Sequence, residues 1–155
     1  MKIGIADTTF ARINMAKYAI DQVRKDAPQA KIERYTVPGF KDLPVACKKL
    51  IEEYQCDIVI ALSMAGSAKI DEQCAFEASL GLTIAQLLTN KHIINVMVYT
   101  NEAKNEKELL ALTKDRVQKH ALNALALLAG KTTLTPFAGK GMRQGRHDAG
   151  ELKHE

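Results

Sequence analysis

A chain of 155 residues, 46% hydrophobic and 26% charged, has the size and composition of one globular domain that buries about 70% of its unfolded surface. A net charge of +4, 5% aromatic residues and no tryptophan argue against a nucleic-acid binder, which needs a basic stripe with stacking aromatics. No apolar run approaches the roughly 20 residues that span a bilayer, and KIGIA opens the chain without a signal peptide, so a soluble, cytoplasmic protein is expected.

The first apolar run, Lys2–Ala6, reads as a strand, and Asp7-Thr8-Thr9 reads as a capping cluster for the helix behind it. That helix carries Ile13, Ala16, Ile20 and Val23 on one face. A second strand follows at Ile32–Val37, then a Pro38-Gly39 turn and a helix with Leu43, Cys47, Leu50 and Tyr54 facing inward. Pro44 suits the first turn of that helix. Asp57–Leu62 and His92–Tyr99 are rich in β-branched residues and almost continuously apolar, the pattern of strands covered on both faces of a parallel sheet. Between them a helix carries Cys74, Ala78, Gly81, Ala85 and Leu88 on one face and Leu80, Ile84 and Leu87 on a second. Two apolar faces need two covers, and the second is expected from another subunit. The last helix, about Lys107 to Leu128, carries Leu110, Val117, Ala121, Ala124 and Leu128 and ends at Gly130.

Four strand–helix alternations predict right-handed crossovers and a three-layer α/β/α sandwich on a four-stranded parallel sheet, flavodoxin-like in topology. The chain is expected to be one domain, residues 1–155, in which 138–155 form a Gly-rich basic tail. Cys47, Cys56 and Cys74 are odd in number and lack a C-x-x-C pair, against a disulfide framework or a zinc site. Cys47 and Cys74 fit as small core residues. His92, His120, His147 and His154 show no metal-ligand spacing, so no metal is expected.

Ligands of such sheets bind beyond the carboxyl ends of the strands, near the switch in strand order. Three loops reach that place. Thr9-Phe10, after the first strand, offers an aromatic for stacking a flat heterocycle. Pro38, Gly39, Phe40, Lys41 and Asp42 follow the second, with Phe40 expected to be exposed and free amides at a helix start able to hold hydroxyls. Ser63, Met64, Ala65 and Gly66 follow the third, where small residues admit a ligand to the backbone. Lys69, Asp71 and Glu77 are the titratable candidates for catalysis beside this rim. The P-loop spacing and the G-x-G-x-x-G of dinucleotide sites are both absent.

DTTFAR, YTVPGFKDLPVACKKL, CAFEASLGL, QLLTNKHII and AGKGMRQG together resemble the archaeal-type riboflavin synthases, relatives of 6,7-dimethyl-8-ribityllumazine synthase. The likeness runs from Met1 to about Gly150. It implies a lumazine synthase-like fold assembled as a homopentamer, with active sites between subunits and two dimethylribityllumazine molecules per site. It implies a dismutation, by four-carbon transfer, to riboflavin and 5-amino-6-ribitylaminouracil. No cofactor is implied beyond an optional divalent cation such as magnesium. By the resemblance, Thr9 and Phe10 meet the ring, Pro38–Asp42 the ribityl chain and Ser63–Gly66 the polar groups. Lys140 or Arg143 matches a lysine that reaches the neighbouring subunit's site.

Two departures qualify the likeness. Lumazine synthases carry an Arg-Gly-x-Thr-x-His pattern after the third strand, where this chain has Ala65-Gly66-Ser67-Ala68-Lys69-Ile70-Asp71. Both the phosphate-handling arginine and the basic histidine are missing, which favours a synthase acting on lumazine alone. Phe76 stands where the archaeal pattern generally carries histidine. The alternatives are a 6,7-dimethyl-8-ribityllumazine synthase and a non-enzymatic flavin-binding module on the same fold.

Overall fold

A computed structural model describes residues 1–153. Four extended segments, β1 (Lys2–Thr8), β2 (Lys31–Val37), β3 (Ile58–Ala65) and β4 (Ile93–Tyr99), pair in parallel in the order β2-β1-β3-β4. The register runs Lys2↔Lys31 and Ile3↔Ile58 about β1, and Val59↔Ile93 between β3 and β4. The helices are α1 (Met15–Asp26), α2 (Leu43–Glu52), α3 (Lys69–Thr89) and α4 (Glu106–Ala129). The chain leaves β1 first toward β2 and then crosses back to β3, so the switch point lies between β1 and β3.

The sandwich follows from the two faces of β3, all eight residues of which are buried. Ile58, Ile60, Leu62 and Met64 pack with Ile3, Ile5, Val96 and Val98 against α1 and α4. On the other face Val59, Ala61 and Ala65 pack with Ala6 and Ile93 against α2 and α3. Met64, Leu62 and the isoleucines make the first face large, while Ala61, Ala65 and Ala6 make the second smaller. Each large aliphatic side chain buried here contributes about 1.5–3 kcal/mol. Gly81 extends the same economy to the helices: a Cβ there would lie 2.7 Å from Pro44 Cγ of α2.

Several local expectations are corrected. Asp7 and Thr8 continue β1, and α1 is capped instead by Asn14, whose side-chain oxygen accepts from the Lys17 amide. Tyr54 lies beyond α2 and is exposed; Ala46 and Ile51 complete the buried face with Leu43, Cys47 and Leu50. On α3 the buried residues are Ala75, Ala78, Leu82 and Ala85, while Cys74 is half-buried and Leu88 is exposed. On α4 Leu109 and Leu112 face the core and Leu110 faces outward. The second apolar face of α3 is uncovered in the single chain, with Leu80, Ile84 and Leu87 all exposed. Among the described residues no helix is long and apolar enough to cross a membrane.

After Gly130 the chain turns back over α4. A short 3-10 turn at Thr135–Phe137 leads into a loop closed on itself by Ala149 N donating to Gly141 O (2.8 Å) and Arg143 N donating to Asp148 Oδ1 (2.9 Å). Gly145 N donates to Asp115 Oδ2 of α4 at 2.8 Å. Between this tail and α4 lies a cavity of about 540 Å³, walled by Ile94, Leu127, Leu134, Phe137 and Met142 and including His120. His120 Nδ1 is buried and finds no hydrogen-bond partner among the described residues. Burial, reinforced by nearby Arg116, pushes its pKa down to about 4.

This sets a pH dependence. The unfolded chain protonates His120 near its ordinary 6.5, whereas the folded chain holds it neutral until about 4. The unfolded state therefore binds more protons inside that window, and stability falls as pH drops through it. Urea unfolding of wild type is expected to lose on the order of 1–2 kcal/mol from about pH 7 to about pH 4.5 through this group, and His120→Gln to flatten the slope.

Candidate functional site

The rim at the carboxyl ends of β1 and β2 is held by backbone bonds. Thr9 N donates to Val37 O at 2.9 Å and Phe10 N to Pro38 O at 3.2 Å, while Thr9 Oγ1 donates to Pro38 O at 3.1 Å. These contacts zip the first two loops into one ledge. Phe40 opens a 3-10 turn at Phe40–Asp42 that runs directly into α2. Its ring is 6% exposed, whereas Phe10 is 51% exposed. The expectation of an exposed Phe40 is therefore corrected: the small side chains of the α2/α3 face leave room for the ring inside the core. Phe10 stands on it edge to face, with centroids 5.7 Å apart and planes at 83°. Such a pair contributes about 0.5–1.5 kcal/mol beyond area burial and fixes the direction of Phe10.

Lys41 reaches from the ledge to Glu77 of α3 at 2.8 Å. Each ion shifts its partner, the hydrogen bond first and the charge second, so the lysine is raised and the carboxyl lowered. Glu77 is thus an ion-pair partner rather than an unengaged base. Lys69 begins α3 and is exposed. Ala68 at the N-cap offers no side-chain acceptor, and Asp71 and Glu72 in the first turn suit the positive end of the helix. Asp71 folds back over Gly66: a Cβ on that glycine would lie 2.3 Å from Asp71 Oδ2. Gly66 and Asp71 therefore form one unit on the side of the rim facing α3.

Ser63 and Met64 do not line the rim. Both are buried within β3, Ser63 Oγ donating to Met97 Sδ at 3.1 Å and Met64 packing in the α1/α4 core. Ala65 closes the strand and is buried too, leaving Gly66 as the accessible member of that run. Lys140 pairs with Glu151, and Arg143 lines a cavity with Glu102, Asp115 and Lys119 beside α4. In one chain neither is brought to the ledge. His92 precedes β4 and is exposed, His147 is in the tail, and His154 lies outside the described residues.

Sequence reasoning passed over a buried carboxylate under the ledge. Asp7 accepts from Arg34 Nη2 at 2.6 Å and Nε at 3.3 Å, and from Thr36 Oγ1 at 2.6 Å. With Thr8, Thr9, Arg12 and Asn14 these residues line a cleft of about 270 Å³. The partners sit on β2, and the signal was the parallel register itself, which pairs Asp7 with Thr36. Among the described residues no group of three His, Cys, Asp or Glu side chains is clustered to hold a metal ion.

With this geometry in place, comparison with known proteins identifies the family. The family model described as 6,7-dimethyl-8-ribityllumazine synthase matches residues 1–131. The chain belongs to that family. Within the lumazine synthase family it is 51% identical over 152 residues to a protein of Archaeoglobus fulgidus named riboflavin synthase, spanning 98% of this chain and 99% of that one. It is equally similar, at 51% over the same shares, to the riboflavin synthase of Methanothermobacter marburgensis. The riboflavin synthase of Aeropyrum pernix is 43% identical over 97% of each chain. Among solved structures, the solution structure of a phosphate-loop protein aligns with 83% of this chain and 93% of its own at a TM-score of 0.42 and 16% identity.

The two phenylalanines of the ledge are expected to separate cleanly on mutation. Phe40→Ala removes a core ring and should cost about 3–5 kcal/mol in a denaturant titration. Phe10→Ala removes an exposed ring, and its loss of stability should stay below about 1.5 kcal/mol.

Proposed function

We propose that this chain is a riboflavin synthase that takes two molecules of 6,7-dimethyl-8-ribityllumazine and moves a four-carbon unit from one to the other, yielding riboflavin and 5-amino-6-ribitylaminouracil. The observation that carries this reading is the 51% identity, over nearly the whole of both chains, to proteins of that name. The absence of arginine and histidine from the run Ala65–Asp71 supports it over condensation of a four-carbon phosphate, which needs groups for the phosphate. The description of the matched family favours lumazine synthesis as the second reading.

In the proposed site the exposed face of Phe10 takes one lumazine ring. The ledge from Pro38 to Asp42 meets the ribityl chain through its carbonyls and amides, with Lys41 held out by Glu77. The accessible backbone of Gly66 approaches the ring edge. One ring methyl of the lumazine is acidic, so a modest base suffices, and Asp71 against Gly66 is the carboxylate best situated to take its proton, with Lys69 beside it. A general base of this kind contributes about 10²–10⁴-fold. Holding two rings in reacting register contributes up to about 7–11 kcal/mol in the most favourable cases. The two products together contain every atom of the two substrates, so electrons pass between identical molecules and neither nicotinamide nor flavin is needed.

Lys140 and Arg143 enter this site in trans, from an adjoining protomer, because in their own chain Lys140 is paired with Glu151 of the tail and Arg143 lies beside α4. The uncovered face of α3, on which Leu87 is 75% exposed, supplies the apolar surface for a cytoplasmic homopentamer. Light scattering should report a pentamer at working concentration, and Leu80→Glu with Leu87→Glu should shift it toward monomer with loss of turnover; a wild-type monomer would sink the shared site.

The decisive assay supplies dimethylribityllumazine alone and follows riboflavin by absorbance and fluorescence. Riboflavin should appear in equal amount with ribitylaminouracil. Turnover that begins only when ribitylaminouracil and the four-carbon phosphate are added would establish lumazine synthesis instead. Tight flavin binding without turnover would point to a binding module.

A further inference from the structure

Among the described residues, the ion pair with the most hydrogen bonds lies outside the ledge. Arg116 of α4 gives Nη1 to Glu102 Oε2 at 2.6 Å and Nη2 to Glu102 Oε1 at 2.8 Å. The same guanidinium donates to Met97 O of β4 at 3.0 Å and, through Nε, to Gln144 O of the tail at 3.3 Å. Glu102 also accepts from Tyr99 N at 3.0 Å and from Arg146 Nη2 at 3.2 Å. The two side chains are only 11% and 18% exposed. Burial opposes ionisation of Glu102, but the Arg116 hydrogen bonds and the Tyr99 amide outweigh it and hold the carboxyl down to about 2. The pair stays charged across the physiological range.

The pair lies between two segments that carry site candidates. On one side the tail lies flat on the guanidinium because residue 145 is glycine at φ +83°; a Cβ there would sit 2.7 Å from Arg116 Nε. That contact fixes the self-closed loop that bears Arg143, over a cavity of about 570 Å³. On the other side Asn101, next to Glu102, donates to Glu72 Oε1 at 2.9 Å. Glu72 belongs to the first turn of α3, which also carries Lys69 and Asp71.

We propose that the Arg116–Glu102 pair is a positioning device that holds the tail loop and the start of α3 in one frame. Arg116 and Glu102 are positioning residues: they act through Arg143, Lys69 and Asp71. Cohesion alone does not explain the pair, since well-packed apolar side chains stabilise as well as a buried ion pair does. A fork-to-fork guanidinium–carboxylate contact fixes direction, which apolar packing does not. The catalytic consequence rests on the riboflavin synthase reading; the holding of the tail does not.

The test uses full-length Arg116→Met, Arg116→Lys and Glu102→Gln with two readouts. The first is the rate of riboflavin formation from dimethylribityllumazine, resolved into kcat and KM. The second is tryptic cleavage after Arg143 and Arg146, which reports the tail without reference to activity. Arg116→Met is expected to lower kcat by about 10²-fold, the effect of a displacement on the order of 1 Å, with KM changed less than about threefold and the tail cut faster. Arg116→Lys keeps the charge without the fork and should recover part of kcat. If Arg116→Met fails to fold, Arg116→Lys and Glu102→Gln decide. Wild-type kcat and cleavage rates in the folded variants overturn the proposal. If wild type itself makes no riboflavin, the functional reading fails, and tail cleavage alone then decides whether the clasp exists.

Discussion

Everything in this molecule is referred to one strand, β3, which is buried along its whole length and has a different appetite on each face. Its large side chains fill the layer under α1 and α4, and its smaller ones pack against α2 and α3. A strand with both faces spent on packing has nothing left for a ligand, so the chemistry is pushed to its carboxyl end. That is why Ser63 and Met64, attractive by residue type, serve the core, while Gly66 and Asp71 lie just past the last buried residue of the strand. Packing with α2 and α3 also holds the ledge, because Phe40 is buried in the same cluster.

The order of strands turns this packing into a site. Crossing from β2 back over β1 to β3 leaves a gap between loops that diverge to opposite faces. Here the gap is edged by Phe10 above Phe40 on one side and by the start of α3 on the other, with Lys41 and Glu77 bridging the two. Beneath, Asp7 is neutralised by Arg34 and Thr36 of the neighbouring strand, so the carboxyl end of β1 keeps its shape without an apolar plug. The arrangement combines an aromatic platform and backbone polar groups with the charged side chains of Lys41, Glu77, Lys69 and Asp71.

Much of the fold was legible because the strands advertise themselves. DIVIAL and HIINVMVY are too uniformly apolar and β-branched for a one-sided sheet, and the four-fold alternation with helices leaves little choice of architecture. The errors cluster where local pattern and tertiary partner disagree. Asp7 and Thr8 looked like a helix cap because polar residues after an apolar run usually are one; they remain strand, paired with Thr36 and Val37 of β2, and Arg34 and Thr36 of that strand satisfy the Asp7 carboxylate. Leu110 was assigned inward by counting spacings, yet a one-residue slip rotates a helix by about 100°, and Leu109 holds the buried position; Leu88 shares its assigned face with the buried Ala78 and Ala85 but is exposed near the end of α3. Phe40 could not be read from its own segment, since the cluster that buries it draws on α2, β3 and α3. The resemblance to riboflavin synthases named both aromatics of the ledge but could not tell which of them faces solvent.

Phe40 belongs at once to the candidate ledge and to the hydrophobic interior, with no flexible joint between the two, since the 3-10 turn that carries it becomes α2 without a break. An enzyme built in this way has no independent lid to loosen. As it is heated, the capacity to grip a heterocycle should vanish along the same curve as cooperative unfolding, rather than in an earlier, reversible step. Adaptation of such a protein to a hotter or colder habitat therefore has to be written into the packing around this ring, and changes to the loop alone will not suffice.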